Sequence, residues 1–214
     1  MNRRTLNRFL AVLPALAAAV AAPGCSMLYT VAYLVRPADV PAEFTGLRGK
    51  HVAVVCRPIV ELEFSDANSA RELAALVGAQ IARHVRGVRV IEQQEVARWL
   101  DEHAWVDYPT LGRSIDADVV VGVDLEQFRM HEGSTLYRGQ ATTRLRVFEA
   151  EKGTVLFEKR IDGFNYPANS AVPVSDHTEP QFRGLFLNIL ARRIASSFHA
   201  YESQERFAEE NLTF

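Results

Sequence analysis

The sequence predicts a single α/β domain, in which a mixed β-sheet of about five strands packs with helices and ends in an antiparallel meander. Three observations predict it. A continuous apolar, β-branched run at 51–56 reads as a strand buried on both faces. Two stretches of helical periodicity follow, separated by a short apolar run. Beyond Ala117 the pattern changes to alternation of apolar and polar residues, punctuated by glycine-bearing turns.

In chain order, His51 to Cys56 is the first strand, bounded by Gly49-Lys50 and Arg57-Pro58. Ser65 to about Val85 is an amphipathic helix with Leu73, Leu76, Val77, Ile81 and Val85 on one stripe. Ser69 with Glu72 offers it a capping box, and Gly87 closes it. Val88 to Ile91 is a short strand, Glu92 to His103 a helix burying Val96, Trp99 and Leu100, and Tyr108 to Ile115 a further helical turn or two. Ala117 to Met130 is a strand, apolar on both faces in its first half and alternating in its second.

Leu136 to Phe148 continues the alternation. Tyr137, Ala141, Thr143, Leu145 and Val147 share one face, and Arg138, Gln140, Thr142, Arg144 and Arg146 the other, as in a sheet covered on one side. Glu151-Lys152-Gly153 turns the chain into a strand from Val155 to Ile161. Residues 164 to 178 read as a long Pro/Asn/Ser loop. Glu179 to Tyr201 reads as a final helix, capped by Thr178 and Gln181 and burying Phe182, Leu185, Phe186, Ile189, Ile194 and Phe198. The domain is thus expected over 49–201, with 202–214 a charged tail.

Parity sets an expected register. A turn centred on Gly133-Ser134 places Asp124 opposite Arg144, and one centred on Glu151 places Arg144 opposite Glu158, with Val123, Leu145 and Phe157 together on the buried face. Asp124, Glu126, Arg144, Arg146, Glu158 and Arg160 then share the outer face. Two readings of that face stand side by side: cross-strand ion pairs contributing about 0.2–1 kcal/mol each, or a surface on which a partner docks.

The N-terminus has the order of an export signal. Arg3, Arg4 and Arg8 precede an apolar, Ala-rich stretch from Phe9 to Ala22, compatible with general or twin-arginine export. The stretch ends in Ala22-Pro23-Gly24-Cys25-Ser26, where a small residue before cysteine resembles the lipobox of bacterial lipoproteins, with Ala22 where the usual box has Leu. Residues 1–24 are therefore expected to be a signal peptide and Cys25 the lipidated residue, followed by an anchor and extended tether over 25–48. An uncleaved anchor is the alternative, since no charged residue stands between Phe9 and Val35 and about 20 apolar residues span a bilayer. Met27 to Val35 suits either the lipid headgroup region or packing against the domain, and Arg36 to Pro41 an extended spacer.

Val52-Ala53-Val54-Val55, Val88 to Glu92, Ile115-Asp116-Ala117-Asp118-Val119-Val120-Val121-Gly122 and the Gly153-Thr154-Val155 turn together resemble a domain shared by cell-envelope lipoproteins (CsgG/LpoB-like). The domain occurs in the curli-secretion lipoprotein, in outer-membrane activators of penicillin-binding proteins and in the N-terminal domain of the Tol-Pal periplasmic protein. The resemblance implies a non-enzymatic lipoprotein that works by binding other envelope proteins. Ser26 after the cysteine resembles the pattern that sorts lipoproteins to the outer membrane. The pore-forming insertions of the secretion channel have no evident counterpart at 164–178.

Other chemistry has little support. A formal net charge of −2 gives no electrostatic reason to expect nucleic acid. Two cysteines, Cys25 and Cys56, do not make a disulfide framework, and Cys56 reads as a small buried hydrophobe. No zinc, nucleophile or phosphate-loop motif is present, so neither a metal nor a cofactor is implied. Ser175-Asp176-His177-Thr178-Glu179 reads as loop and cap, and Asp101-Glu102-His103 as a solvated helix end. The expected function is a non-catalytic, membrane-tethered envelope adaptor. A subunit of a secretion or transport assembly, able to form homo-oligomers, and a membrane-displayed ligand-binding protein or hydrolase are the alternatives.

Overall fold

A computed structural model describes residues 40–58 and 63–203. The elements are β1 (His51–Pro58), α1 (Glu63–His84), β2 (Arg89–Val90), α2 (Gln93–Glu102), α3 (Tyr108–Ser114), β3 (Val119–Glu132), β4 (Leu136–Glu149), β5 (Val155–Tyr166), β6 (Val172–Pro173) and α4 (Glu179–Ala195). The sheet runs β2-β1-β3-β4-β5, with β6 also on β4. β1 is parallel to both β2 and β3, whereas β3, β4 and β5 form the antiparallel meander. Cys25 and residues 1–24, expected to be a signal peptide, lie outside the described residues.

One face of the sheet packs against α1 and α4. Its core joins Val52, Val54 and Cys56 of β1 to Val121, Val123, Leu145 and Val147 of the meander, and to Leu73, Val77, Ile81, Phe182, Phe186 and Leu190 of the two helices. Among the described residues, the opposite face is covered at one end only. There α2 and α3 bring Val96, Trp99, Tyr108 and Leu111 onto Ala53, Val55, Val120 and Phe148. The result is three layers over the parallel part of the sheet and two over the far part of the meander, whose outer face is covered by none of the described residues' helices. The periodicities explain the division: β1 and the start of β3 are apolar on both faces, while β4 and β5 alternate.

Several expectations are corrected. Ser69 lies within α1 and is buried, so it cannot cap a helix that is already running from Glu63. Residues 164–178 are not all loop: β5 continues to Tyr166 through an irregularity at Gly163 (φ 57°), which lets Phe164 join the core, and β6 adds two residues along β4. The last helix ends at Ala195 and not at Tyr201. The chain tightens there, with Ser197 N–H bonding to Ile194 O at 3.2 Å and Phe198 N–H to Ala195 O at 2.9 Å, and Tyr201 then leaves to bridge Val40. Its stripe is also turned: Leu187 and Leu190 are fully buried, whereas Leu185 and Ile189 pack only partly.

The tether expected over 25–48 is already part of the folded domain from Val40 onward. Leu47 is fully buried, Phe44 packs on Phe157 and Phe198 with ring centroids 5.5 and 6.3 Å apart, and Phe44 N–H bonds to Ser197 O at 2.9 Å.

The first hairpin has the expected register, with Asp124 opposite Arg144 and Val123 opposite Leu145. The second is displaced by two residues: Arg144 stands opposite Arg160, Arg146 opposite Glu158, and Phe157 opposite Val147. The turn closes through Glu149 N–H to Thr154 O at 2.9 Å with Gly153 at φ 71°, and an irregularity between Val147 and Phe148 moves the ladder further. A two-residue displacement keeps every side chain on its face, which is why the inside-outside pattern holds although Arg144 has a different partner from the one expected.

Candidate functional site

The site is the open outer face of the meander and the end of β1 that continues it. One sheet row crosses four strands: Arg57 on β1, Asp124 on β3, Arg144 on β4 and Arg160 on β5. Like charges stand directly opposite one another at Arg144 and Arg160, an arrangement that destabilises a sheet unless a counter-charge intervenes.

Glu126 is that counter-charge. The β3–β4 register shifts between Leu125 and Gln127, so Glu126 is the extra residue of a bulge, and bulges re-aim side chains. Its carboxylate accepts from Arg144 Nε at 3.0 Å through Oε1, and from Arg160 Nε at 3.0 Å and Nη2 at 2.8 Å through Oε2. Arg144 also reaches Glu158 at 3.7 Å, and Arg160 reaches Asp162 at 3.1 Å.

Asp124 centres a second cluster. It accepts from Tyr108 Oη at 2.6 Å and from Arg146 Nη2 at 2.5 Å. The Arg146 guanidinium lies 5.3 Å from the Phe148 ring centre and 5.7 Å from that of Tyr108. Gly122 makes this possible, because a Cβ there would come within 2.8 Å of the Tyr108 ring. Burial, and then the neighbouring Asp124 charge, push the Tyr108 hydroxyl well above its ordinary pKa, so it stays a donor. The buried Cys56 thiol is pushed up for the same two reasons and remains protonated, as the reading of Cys56 as an inert hydrophobe expects.

The aromatic edge of the site lies in the loop between α2 and α3. Trp105 sits beneath the Arg57 guanidinium at 4.0 Å and meets the Tyr108 ring edge-on at 4.9 Å. Asp107 caps α3 by accepting from Thr110 N–H at 2.7 Å, and hydrogen bonding by the Thr110 side chain, then by its backbone, holds the Asp107 carboxyl below the usual range. Between these two fixed residues Val106 projects to solvent, 64% exposed.

The structure therefore brings all six outer-face residues expected from sequence onto one surface and links them in two ion-pair clusters. Sequence reasoning missed Arg57, Trp105, Val106 and Tyr108. The signal available was a Trp-Val pair between two helices with a capping Asp after it.

The other sequence clusters are explained locally. Ser175 Oγ donates to Asp176 at 2.8 Å, and Gln181 accepts from both the backbone N–H and the hydroxyl of Thr178 at 2.9 Å. Asp101 pairs with Arg71 at 3.0 Å, and His103 stacks on Trp99. An open depression of 460 Å³ lies at the opposite end of the sheet, among Lys50, Arg113, Asp116, Glu149 and Leu156. Among the described residues no group of three or more His, Cys, Asp or Glu is placed to hold a metal, and no helix is long and apolar enough to cross a membrane.

No protein-family model and no curated protein matches this sequence. Solved structures do resemble the chain. The PelC dodecamer from Paraburkholderia phytofirmans is 11% identical, with 75% of this chain and 94% of that chain covered and a TM-score of 0.44. Lipoprotein GNA1162 from Neisseria meningitidis is 16% identical, covering 69% and 99% at a TM-score of 0.41. The LpoB C-terminal domain from Salmonella enterica is 11% identical, covering 55% and 83% at 0.34. At such identities and scores the likeness carries no functional inference.

Proposed function

We propose that the protein is an exported lipoprotein, acylated at Cys25 and held at the outer membrane facing the periplasm, where it acts without catalysis as an adaptor for another envelope protein. The charged, apolar, small-residue order that ends at Cys25 supports the anchor. Acyl chains contribute about 0.8 kcal/mol per buried methylene, so more than one chain suffices for stable attachment. The observation that carries the adaptor reading is the outer face itself. Its arginines are held in defined positions by half-buried carboxylates and stacked aromatic rings, and Arg, Trp and Tyr are the residues on which protein interfaces concentrate their binding energy.

Two measurements test this. Intact-mass analysis of the membrane-extracted chain is expected to show a mature N-terminus at Cys25 with acyl mass; retention of Met1 contradicts the lipoprotein reading, and fractionation with the inner membrane contradicts the proposed location. Affinity purification from crosslinked membranes is expected to recover an envelope protein with the native chain and to lose it with Arg144→Glu. Equal recovery with both removes the face from the function.

A further inference from the structure

We infer that the outer face docks an acidic protein segment bearing an apolar anchor residue, the acids meeting the arginine strip and the anchor meeting the Trp105-Val106 loop. This deepens the adaptor reading and rests on it.

The first argument is the layering of charge. The six residues of the two ion-pair clusters balance only on paper, because they lie at different heights. The side chains of Asp124 and Glu126 are 21% and 19% exposed, whereas those of Arg146, Arg144 and Arg160 are 31%, 44% and 52% exposed. The carboxylates are spent from below on holding the arginines, and an approaching surface meets guanidinium N–H groups first. Each guanidinium has five donors in a planar fork, so one used on Glu126 still has others to offer a second carboxylate. Glu158 and Asp162, 52% and 66% exposed, stand on the edge strand β5 and bound the strip on that side. They repel an acidic segment from the edge and leave it a course along Arg160, Arg144, Arg146 and Arg57.

The second argument is the apolar group at the end of that course. Among the described residues, Val106 is the most exposed large hydrophobic side chain. It is held between Trp105, pinned under Arg57, and Asp107, pinned as a helix cap. An exposed apolar side chain on a pre-ordered loop loses little conformational freedom on binding, and that is the circumstance in which buried area converts into affinity. The two arguments place an acid-binding strip and an apolar contact next to each other, because Arg57 belongs to both.

The experiment uses the full-length chain in its own membranes. Benzoylphenylalanine replaces Val106, with Asn188 on α4 as the control position, and the crosslinked species are identified by mass spectrometry. The expected product is a peptide from another protein with a clear excess of Asp and Glu, formed at least tenfold more at 106 than at 188. Arg144→Glu with Arg160→Glu in the same chain is expected to reduce it at least tenfold. Val106→Asp offers an independent check, since an exposed loop residue leaves the fold intact; it should abolish co-purification of the same protein. A crosslinked peptide that is neutral or basic overturns this inference while leaving the adaptor reading in place. A phospholipid adduct, or one with a second copy of this chain, overturns it in favour of a membrane-docking or self-docking face. If no product at 106 exceeds the control although a partner co-purifies, the partner docks elsewhere and the inference falls.

Discussion

Asp124 stands directly opposite Arg144 in the β3–β4 ladder, yet its carboxylate takes the guanidinium of Arg146 at 2.5 Å, and Arg144 turns to Glu126 at 3.0 Å. The pairing is diagonal because Tyr108 holds one oxygen of Asp124 and the bulge at Glu126 offers Arg144 a second acid. Glu126 is then the hinge of the row, since without it Arg144 and Arg160 face each other with only the exposed Glu158 at 3.7 Å and Asp162 at 3.1 Å to offset them. Glu126→Ala is expected to cost about 1–3 kcal/mol of stability, more than an ordinary surface ion pair. The loss should shrink when Arg160 is also removed, and a urea-denaturation double-mutant cycle measures this. A loss below about 0.5 kcal/mol would contradict the shared-acid geometry.

The Cys56 thiol gives a pH dependence with a definite sign. Burial first, and Asp124 second, raise its pKa above the ordinary 9.0. The folded state therefore keeps a proton that the unfolded state releases, and this contribution is complete below about pH 9 and is lost progressively as the pH rises above it. Stability should fall above pH 9 by up to about 1.4 kcal/mol per pH unit for this one group. Cys56→Ala should flatten that slope, whatever its effect at neutral pH. The native thiol should also react with a disulfide reagent only at the rate of unfolding.

Two glycines should answer oppositely to alanine. A Cβ at Gly122 would meet the Tyr108 ring at 2.8 Å, so Gly122→Ala is expected to lose about 1–3 kcal/mol and to displace the Tyr108 hydroxyl from Asp124. Gly184, within α4, has no neighbour within 4 Å of such a Cβ, so Gly184→Ala is expected to gain about 0.5–1 kcal/mol. Thermal unfolding of the pair decides both.

The start of the domain is open to truncation. A chain beginning at Val40 retains Leu47, Phe44 and the bridge to Tyr201, whereas one beginning at Gly49 loses all three. Removing Leu47 alone, as Leu47→Ala, is expected to cost about 2–5 kcal/mol. The shorter chain should be far less stable in urea than the longer one; equal stability would contradict the packing of residues 40–48.

The fold class, the order of elements and the inside-outside parity of the meander were determined by the sequence alone. Each rests on a local period: continuous apolar residues at 51–56, a helical stripe through Leu73 and Ile81, and alternation through Leu145 and Val147. Parity survived even where the register was off by two, because side-chain direction repeats every second residue. Partner identity, by contrast, was decided only in the tertiary structure. The turn after Glu149 and the irregularity between Val147 and Phe148 chose Arg160 over Glu158 as the neighbour of Arg144, while the bulge at Glu126 and the left-handed Gly163 re-aim residues elsewhere in the meander, and no local pattern announces any of them. Trp105 joined the site in the same way. A loop residue has no period to betray its direction, and its place under Arg57 depends on where α2 and α3 settle on the sheet.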